Sequence, residues 1–314
     1  MHCLVTGVAC SIGMHIAEQL LKEGHTVIGI DCYINSYSLE IKKDRIAHLM
    51  PYDRFHFIQD NLIDMDLKSL CNTSEWIFHE AGQPGVRPSW GDKFDLYTAC
   101  NITATQRLLE AAINTSVRRI VYASSSSIYG NVQSLPILET TIPQPVSTYG
   151  VTKLAAEHLC HLYWTNFQVP TLSLRYFTVF GPRPRPDMAI SIFANAIFSN
   201  EEIQVLGDGE QSRGFTFVSD VVNANLKAAE SPYVDEVMNI SGGGRISINE
   251  LIRKLENIIG KKARVRYETF AKGDVMHTQA DISKAEKLIG YKPEKDFDEG
   301  LAETVASIKA YYQY

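Results

Sequence analysis

The chain opens with a short apolar run, "HCLVTG", closed by Gly7. It continues as "SIGMHIAEQLLKEG", where Ile12, Ile16 and Leu20 recur at helical spacing and Gly24 supplies a stop signal. The same alternation repeats downstream. "HTVIGID", "FHFIQD" and "EWIFHEAG" read as further buried strands, and "FDLYTACNITATQRLLEAAINTS" as a long amphipathic helix. "RRIVYASSSS" is a strand running into a serine cluster, "STYGVTKLAAEHLCHLYWTNF" a second long helix, and "TLSLRYF" the strand after it. Strands apolar on both faces, alternating with helices, predict a parallel sheet covered on each side.

Beyond Gly181 the texture changes. "GPRPRPDM" is a loop rich in proline and arginine, and "LGDGEQSRG" is a polar loop rich in turn residues. "SINELIRKLENIIG" is a well-signalled helix: Ser247 and Glu250 fit a capping box, and Gly260 lies past its end. Residues 1–180 are therefore expected to form a doubly wound α/β domain of the Rossmann type. Residues 181–314 are expected to form mainly a smaller α/β lobe over the open edge of the sheet. Segments such as "GFTFVSDVV" are expected to return to the first domain.

Composition narrows the function. The net charge of −6 argues against a general nucleic-acid or membrane-surface binder. No apolar run approaches the roughly 18 residues that span a bilayer. "MHCLVTG" has no basic segment ahead of its apolar stretch, as a secretory signal would. The six cysteines are scattered with no C-x-x-C pair, which predicts reduced thiols in the cytoplasm and no zinc site.

Two stretches carry candidate chemistry. In "TGVACSIG", Gly7 closes a strand and Gly13 lies in the first turn of a helix, where free backbone N–H groups and the positive helix end bind a pyrophosphate. Asp31 follows the second strand, where an acid can hold both hydroxyls of a ribose and repel a 2′-phosphate, which favours NAD over NADP. Cys10 stands at the central position of the turn, where a third glycine is usual. The stretch alone also fits a plain strand–turn–helix junction, and Cys10 fits either an inert packed residue or a thiol acidified by the helix end. In the second stretch, Tyr149 and Lys153 are four apart and share one helix face. An ammonium beside a phenol stabilises the phenolate and makes it a usable base. The serine run 124–127 ends a strand in the same region. A Tyr–Lys pair alone also fits an ordinary surface pair; the dinucleotide turn, Asp31 and the serine-tipped strand together give it a chemical meaning.

With these residues in view, the chain resembles the extended short-chain dehydrogenase/reductases, specifically the NAD-dependent nucleotide-sugar epimerases and dehydratases. The resemblance rests on "VTGVACSIGMH", Asp31, "QDNL", "FHEAGQPGVRPSW", "NITATQRLLEAA", "ASSSSIYG", "STYGVTKLAAE", "LRYFTVFGPRPRPDM", "GDGEQSRGFTFVSDVV" and "GDVMHTQADISKAEKLIGY", and covers nearly the whole chain. It implies NAD bound by Gly7, Cys10, Ser11, Ile12, Gly13, Asp31, Ala81, Asn101, Tyr149 and Lys153, with Asp60 and Asn61 beside the adenine. It implies Ser125 as the catalytic hydroxyl, Tyr149 as the base and Lys153 on the nicotinamide ribose. Val205 in the "VLGDG" loop, Arg213 and Asp274 would hold the nucleotide diphosphate of a sugar substrate. The family's usual homodimer pairs two long helices, here about 94–114 and 148–167.

The resemblance also divides the reactions. Dehydratases of the family carry an Asp-Glu pair after the catalytic hydroxyl; here Ser126 and Ser127 stand there, and neither can act as that acid or base. This favours a C4 epimerase. "GVRPSW", "RYFTVFGPRPRPDM" and Thr178 look most like UDP-glucuronate 4-epimerases, with Ser126, Ser127 and Thr178 as a hydroxyl cradle for a C5 carboxylate. Arg185 would neutralise the same carboxylate; Arg87 and Arg185 also fit phosphate or surface roles. UDP-glucose or UDP-N-acetylglucosamine epimerase, a 4-keto-uronate decarboxylase, a hydroxyl dehydrogenase and a non-catalytic nucleotide-binding regulator stand as alternatives. Relative to the family, Cys10-Ser11 replaces Gly-Phe, Glu80 replaces a leucine, and Gly214 replaces the aspartate expected to partner Arg213.

Overall fold

A computed structural model describes all residues except Asn35 and residues 270–274. Its strands, in chain order, are β1 (His2–Thr6), β2 (Thr26–Ile30), β3 (Phe55–Ile58), β4 (Trp76–His79), β5 (Arg119–Ser125), β6 (Thr171–Tyr176), β7 (Thr178–Phe180), β8 (Glu202–Leu206), β9 (Ser212–Phe217), β10 (Glu236–Ile240), β11 (Arg245–Ser247) and β12 (Arg264–Glu268). Seven of them pair in the order β10-β6-β5-β4-β1-β2-β3, all parallel. The order reverses between β1 and β4, so a crevice opens at the carboxyl ends of these two strands.

The apolar runs explain this sheet. Cys3 and Val5 of β1 enter one core while Leu4 enters the other; Trp76 and Phe78 of β4 oppose Ile77 in the same way. Alternate side chains leave opposite faces of a strand, so a strand buried on both faces needs to be mostly apolar. Helix Ser11–Lys22 covers the first face, and helices Ala104–Ala112 and Thr148–Phe167 the second. A third core, from Phe180 to Ile308, gathers the sheets β11-β9-β7 and β12-β8 with helices Ala189–Ser199, Ile248–Ile259 and Phe297–Tyr312.

Two expectations are refined. "GFTFVSDVV" divides: β9 stays in the small sheet, whereas Val221 and Val222 of helix Val218–Glu230 join the first core. β10 also returns, pairing with β6. The long helix expected near 94–114 runs without a gap through Phe94–Tyr97, a π turn Thr98–Thr103, and Ala104–Ala112. The wider turn carries Asn101 inward, where its Oδ1 accepts from Gln83 N (2.7 Å) and its Nδ2 donates to Gln83 O (3.1 Å) and Thr152 Oγ1 (2.9 Å). At the third-core helix the serine half of the expected capping box forms, Ser247 Oγ accepting from Glu250 N at 3.1 Å, and Gly260 ends the helix with φ +77°. Among the described residues, no helix is long and apolar enough to cross a membrane.

Candidate active site

The crevice is a cavity of about 620 Å³ reaching from the glycine turn to the second lobe. Gly7 turns the chain out of β1 with φ +71°, and a Cβ there would lie 2.7 Å from Ala81 N. A Cβ on Gly13 would lie 2.5 Å from Gly7 O, so this glycine lets the helix start sit directly on the turn. Cys10 answers differently. Its φ of −81° and ψ of 162° are extended backbone open to any residue, and it makes no side-chain cap to the helix it precedes. An anion at this helix end would complete the cap. Burial, reinforced by the Asp31 charge, pushes the Cys10 thiol up to about 11, the direction expected of an inert packed residue and opposite to an acidified thiol.

Asp31 is buried at the end of β2. Its Oδ2 accepts from Ala9 N (3.1 Å) and its Oδ1 from Tyr33 N (2.8 Å), which ties the acid to the turn it must face. Burial raises its pKa, while the Tyr33 and Ala9 bonds and Lys42 pull it down. Ser11, Ile12, Asp60, Asn61 and Ala81 line the same end of the cavity. Asn101 reaches the wall with its amide already engaged by Gln83 and Thr152, so it shapes the wall there.

Sequence reasoning missed two buried cations, Lys42 and Arg45 on helix Leu39–Leu49. Lys42 lines the cavity. Arg45 donates through Nη1 to Ala9 O (3.1 Å) and through Nη2 to Arg183 O and Pro184 O (both 2.9 Å). It thus joins the glycine turn to the entry of the second lobe. The signal was present: Lys42 and Arg45 share the helix face of Ile46 and Leu49, which a solvated cation would avoid.

At the other end, Ser147 caps helix Thr148–Phe167 by accepting from Gly150 N at 3.1 Å. A Cβ on Gly150 would lie 2.5 Å from Ser127 O, so that glycine lets the helix rest on the serine turn. Tyr149 and Lys153 both face the cavity, as does Ser125 at the tip of β5. Burial pushes the Tyr149 phenol up, while a hydrogen bond with Ser125 and the charge of Arg185 pull it down. Burial brings the Lys153 ammonium down to about 8, and Glu80 acts to raise it. The Lys153 Nζ lies over the Tyr122 ring, 4.3 Å from the centroid, and the charge of Arg185 is a second cation acting on the Tyr149 phenol.

Beneath these groups lies a buried ion pair. Arg175 Nη2 meets Glu157 Oε1 at 2.6 Å and its Nε meets Oε2 at 3.0 Å; Ser124 Oγ donates to Oε2 at 2.6 Å. Glu157 is one turn beyond Lys153, so the pair fixes the helix against β5 and β6.

The second-lobe side of the cavity collects the other expected residues. Ser126 and Ser127 lie in a short turn after β5, Thr178 begins β7, and Val205 lies in β8. Arg185 also lines the cavity and holds Asp187 with two bonds, at 3.1 and 2.6 Å. Arg87 stands exposed at the rim. Arg213 donates from Nη1 to the carbonyls of Ser212 (3.0 Å) and Met276 (3.1 Å). Asp274 lies outside the described residues. No group of three potential metal ligands occurs among the described residues.

Known proteins resemble this chain in sequence and fold. The model of the NAD dependent epimerase/dehydratase family matches residues 3–241. The chain is 42% identical over 315 residues to an uncharacterized UDP-glucose epimerase of Bacillus subtilis (strain 168), covering 100% of this chain and 99% of that one. It is 40% identical over 307 residues to the UDP-glucuronate 4-epimerase of Thermodesulfobacterium geofontis, covering 96% and 94%. The crystal structure of UDP-glucuronic acid 4-epimerase from Bacillus cereus, in complex with UDP-glucuronic acid and NAD, superposes with a TM-score of 0.97 at 40% identity, covering 99% and 100%.

Proposed function

The chain belongs to the NAD-dependent epimerase/dehydratase family, and from that premise we propose that it inverts C4 of UDP-glucuronate to give UDP-galacturonate through a transient 4-keto sugar. The observation that carries this reading is the meeting, in one cavity, of Tyr149, Lys153 and Ser125 with the hydroxyls of Ser126, Ser127 and Thr178 and the guanidinium of Arg185.

The nucleotide end fits NAD. Gly7 and Gly13 form a turn that a Cβ at either position would fill, and Asp31 is held facing it by Ala9 N. A 2′-phosphate would meet the Asp31 carboxylate. When bound, NAD accepts a hydride from sugar C4 and gives it back. Tyr149 takes the proton of the 4-hydroxyl, and Ser125 shares a hydrogen bond with the same oxygen. Lys153 holds the ribose side of the cofactor. Val205 and Arg213, with Asp274, receive the uridine diphosphate. Serines at 126 and 127 supply no acid–base pair for elimination, so the ketone survives to be reduced on its other face.

The uronate poses a particular problem. A 4-keto uronate is a β-keto acid, and it loses CO₂ when the bond to its carboxylate aligns with the ketone π-system. Ser126, Ser127, Thr178 and Arg185 hold the carboxylate out of that alignment. A Ser126→Ala/Ser127→Ala enzyme is therefore expected to divert part of its turnover to a 4-keto pentose, with CO₂ and NADH appearing in equal amounts. The wild type should give UDP-galacturonate and neither by-product. The check is NMR of the sugars with absorbance at 340 nm and CO₂ capture. Release of CO₂ by the wild type would make it a decarboxylase instead.

The proposed working unit is a cytoplasmic homodimer. Exposed Phe94, Val151, Leu162 and Phe167 on the helices near 94–114 and 148–167 support pairing of these helices with a second copy.

A further inference from the structure

The chemistry above leaves Glu80 unused. It follows β4 directly, and its side chain lines the cavity together with Tyr176, Tyr149 and Lys153. Tyr176 Oη, at the end of β6, lies 2.8 Å from Glu80 Oε1. The same oxygen lies 2.7 Å from Asn225 Nδ2 and 3.0 Å from Asn225 Oδ1. The hydroxyl therefore has a donor and an acceptor on its far side. With Glu80 ionised, Tyr176 donates to the carboxylate and accepts from Nδ2. With Glu80 protonated, the carboxyl donates to Oη and Tyr176 donates to Oδ1. Each proton count leaves the chain of groups paired, which a buried carboxyl requires if it is to change charge at low cost.

We propose that Glu80 is a positioning residue for the oxidation state of the cofactor: its carboxylate favours NAD⁺ over NADH in the cavity and keeps the resting holoenzyme oxidised. This rests on the cofactor and not on the identity of the sugar. The reasoning is electrostatic. Hydride gain removes the positive charge of the nicotinamide ring, so a negative charge close by opposes it and the Lys153 ammonium promotes it. Glu80 offsets Lys153, and its charge reaches both Lys153 and Tyr149. An epimerase must return the hydride in every turnover, and a stranded NADH ends the cycle.

Burial pushes Glu80 up to about 7, while the Tyr176 bond and Lys153 pull it down. The groups that face it are Lys153 and Tyr149 from helix Thr148–Phe167, Tyr122 from β5 and Tyr176 from β6. Asn225, from helix Val218–Glu230, is uncharged. His79, next to it in the chain, is neutral, held at about 3 by burial. The preference for NAD⁺ thus belongs to the ionised form: present above about 7, lost as pH falls through that value.

The test equilibrates holoenzyme, without sugar, against a mixed pool of NAD⁺ and NADH at pH 6 and pH 8, and reads the bound ratio after an organic quench. At pH 8 the wild type should hold NAD⁺ over NADH by roughly threefold or more compared with Glu80→Gln. At pH 6 the two should converge. Lys153 titrates in both proteins and is raised by Glu80 only in the wild type; that change works against the expected difference, so a higher NAD⁺ ratio in the wild type reports the Glu80 charge itself. Tyr176→Phe removes the donor to the ionised carboxylate and should move the point of convergence to higher pH. Equal ratios in wild type and Glu80→Gln at both pH values, or a difference that does not change with pH, would overturn the proposal. A lack of turnover on UDP-glucuronate would leave this result unaffected.

Discussion

Replacing Tyr149 with phenylalanine is expected to lower kcat by about 10²–10⁴-fold, the usual contribution of a positioned general base, while leaving NAD and UDP-sugar bound. The ring is already held by packing: it meets Tyr97 edge-on, with centroids 6.2 Å apart, and its backbone N–H donates to Ser89 Oγ at 3.2 Å. Phenylalanine keeps those contacts and removes the oxygen that takes the proton. Ser125 keeps its place at the tip of β5, because its Oγ also accepts from Ser127 N at 3.1 Å. Rates come from NMR of the sugar ring protons, and binding from calorimetry with UDP-glucuronate. A loss of rate below tenfold, or a parallel loss of binding, would remove Tyr149 from the role of base.

The second large effect concerns stability. Glu157→Ala leaves the Arg175 guanidinium buried without its carboxylate and takes the acceptor from Ser124 Oγ. Removing one partner of a buried ion pair costs about 3–5 kcal/mol, because the surviving charge keeps its desolvation penalty. Two further bonds hold the arginine in place: Arg175 Nη1 donates to Tyr129 Oη at 2.7 Å and to Glu139 O at 3.3 Å, and Tyr129 in turn donates to Asn239 Oδ1 at 2.7 Å. These bonds oppose a swing of the guanidinium out to water. The urea midpoint should fall accordingly with an unchanged slope. Glu157→Gln, which keeps an acceptor oxygen, should lose less. A cost below about 1 kcal/mol would mean that the site relaxes or admits water.

Most of the sheet was legible because a parallel strand buried on both faces must be mostly apolar, and β1, β2 and β4 are; the buried Thr6 and His79 at the ends of β1 and β4 pair with each other at 2.7 Å. Tyr149 and Lys153 were legible because positions four apart share a helix face. The π turn was not, because Asn101 stabilises it through bonds to Gln83 and Thr152, and these contacts exist only after the helices pack. The backbone at Cys10 was also hidden: residue identity names a missing glycine, whereas that position does not need positive φ. Glu80 stood out as an odd carboxylate, but its partners Tyr176 and Asn225 lie far along the chain, on a different strand and a returning helix. The backbone carbonyls that receive Arg213 were hidden for the same reason. Asp274, expected at the diphosphate, lies outside the described residues.

The central claim is that one hydride leaves sugar C4 and returns to the same carbon on its other face. UDP-glucuronate carrying deuterium at C4, incubated with the holoenzyme in ordinary water, tests it directly by NMR and mass spectrometry. The account predicts UDP-galacturonate with the deuterium retained at C4 and no net NADH. Product with the label washed out into water, or no inversion at C4, would contradict it.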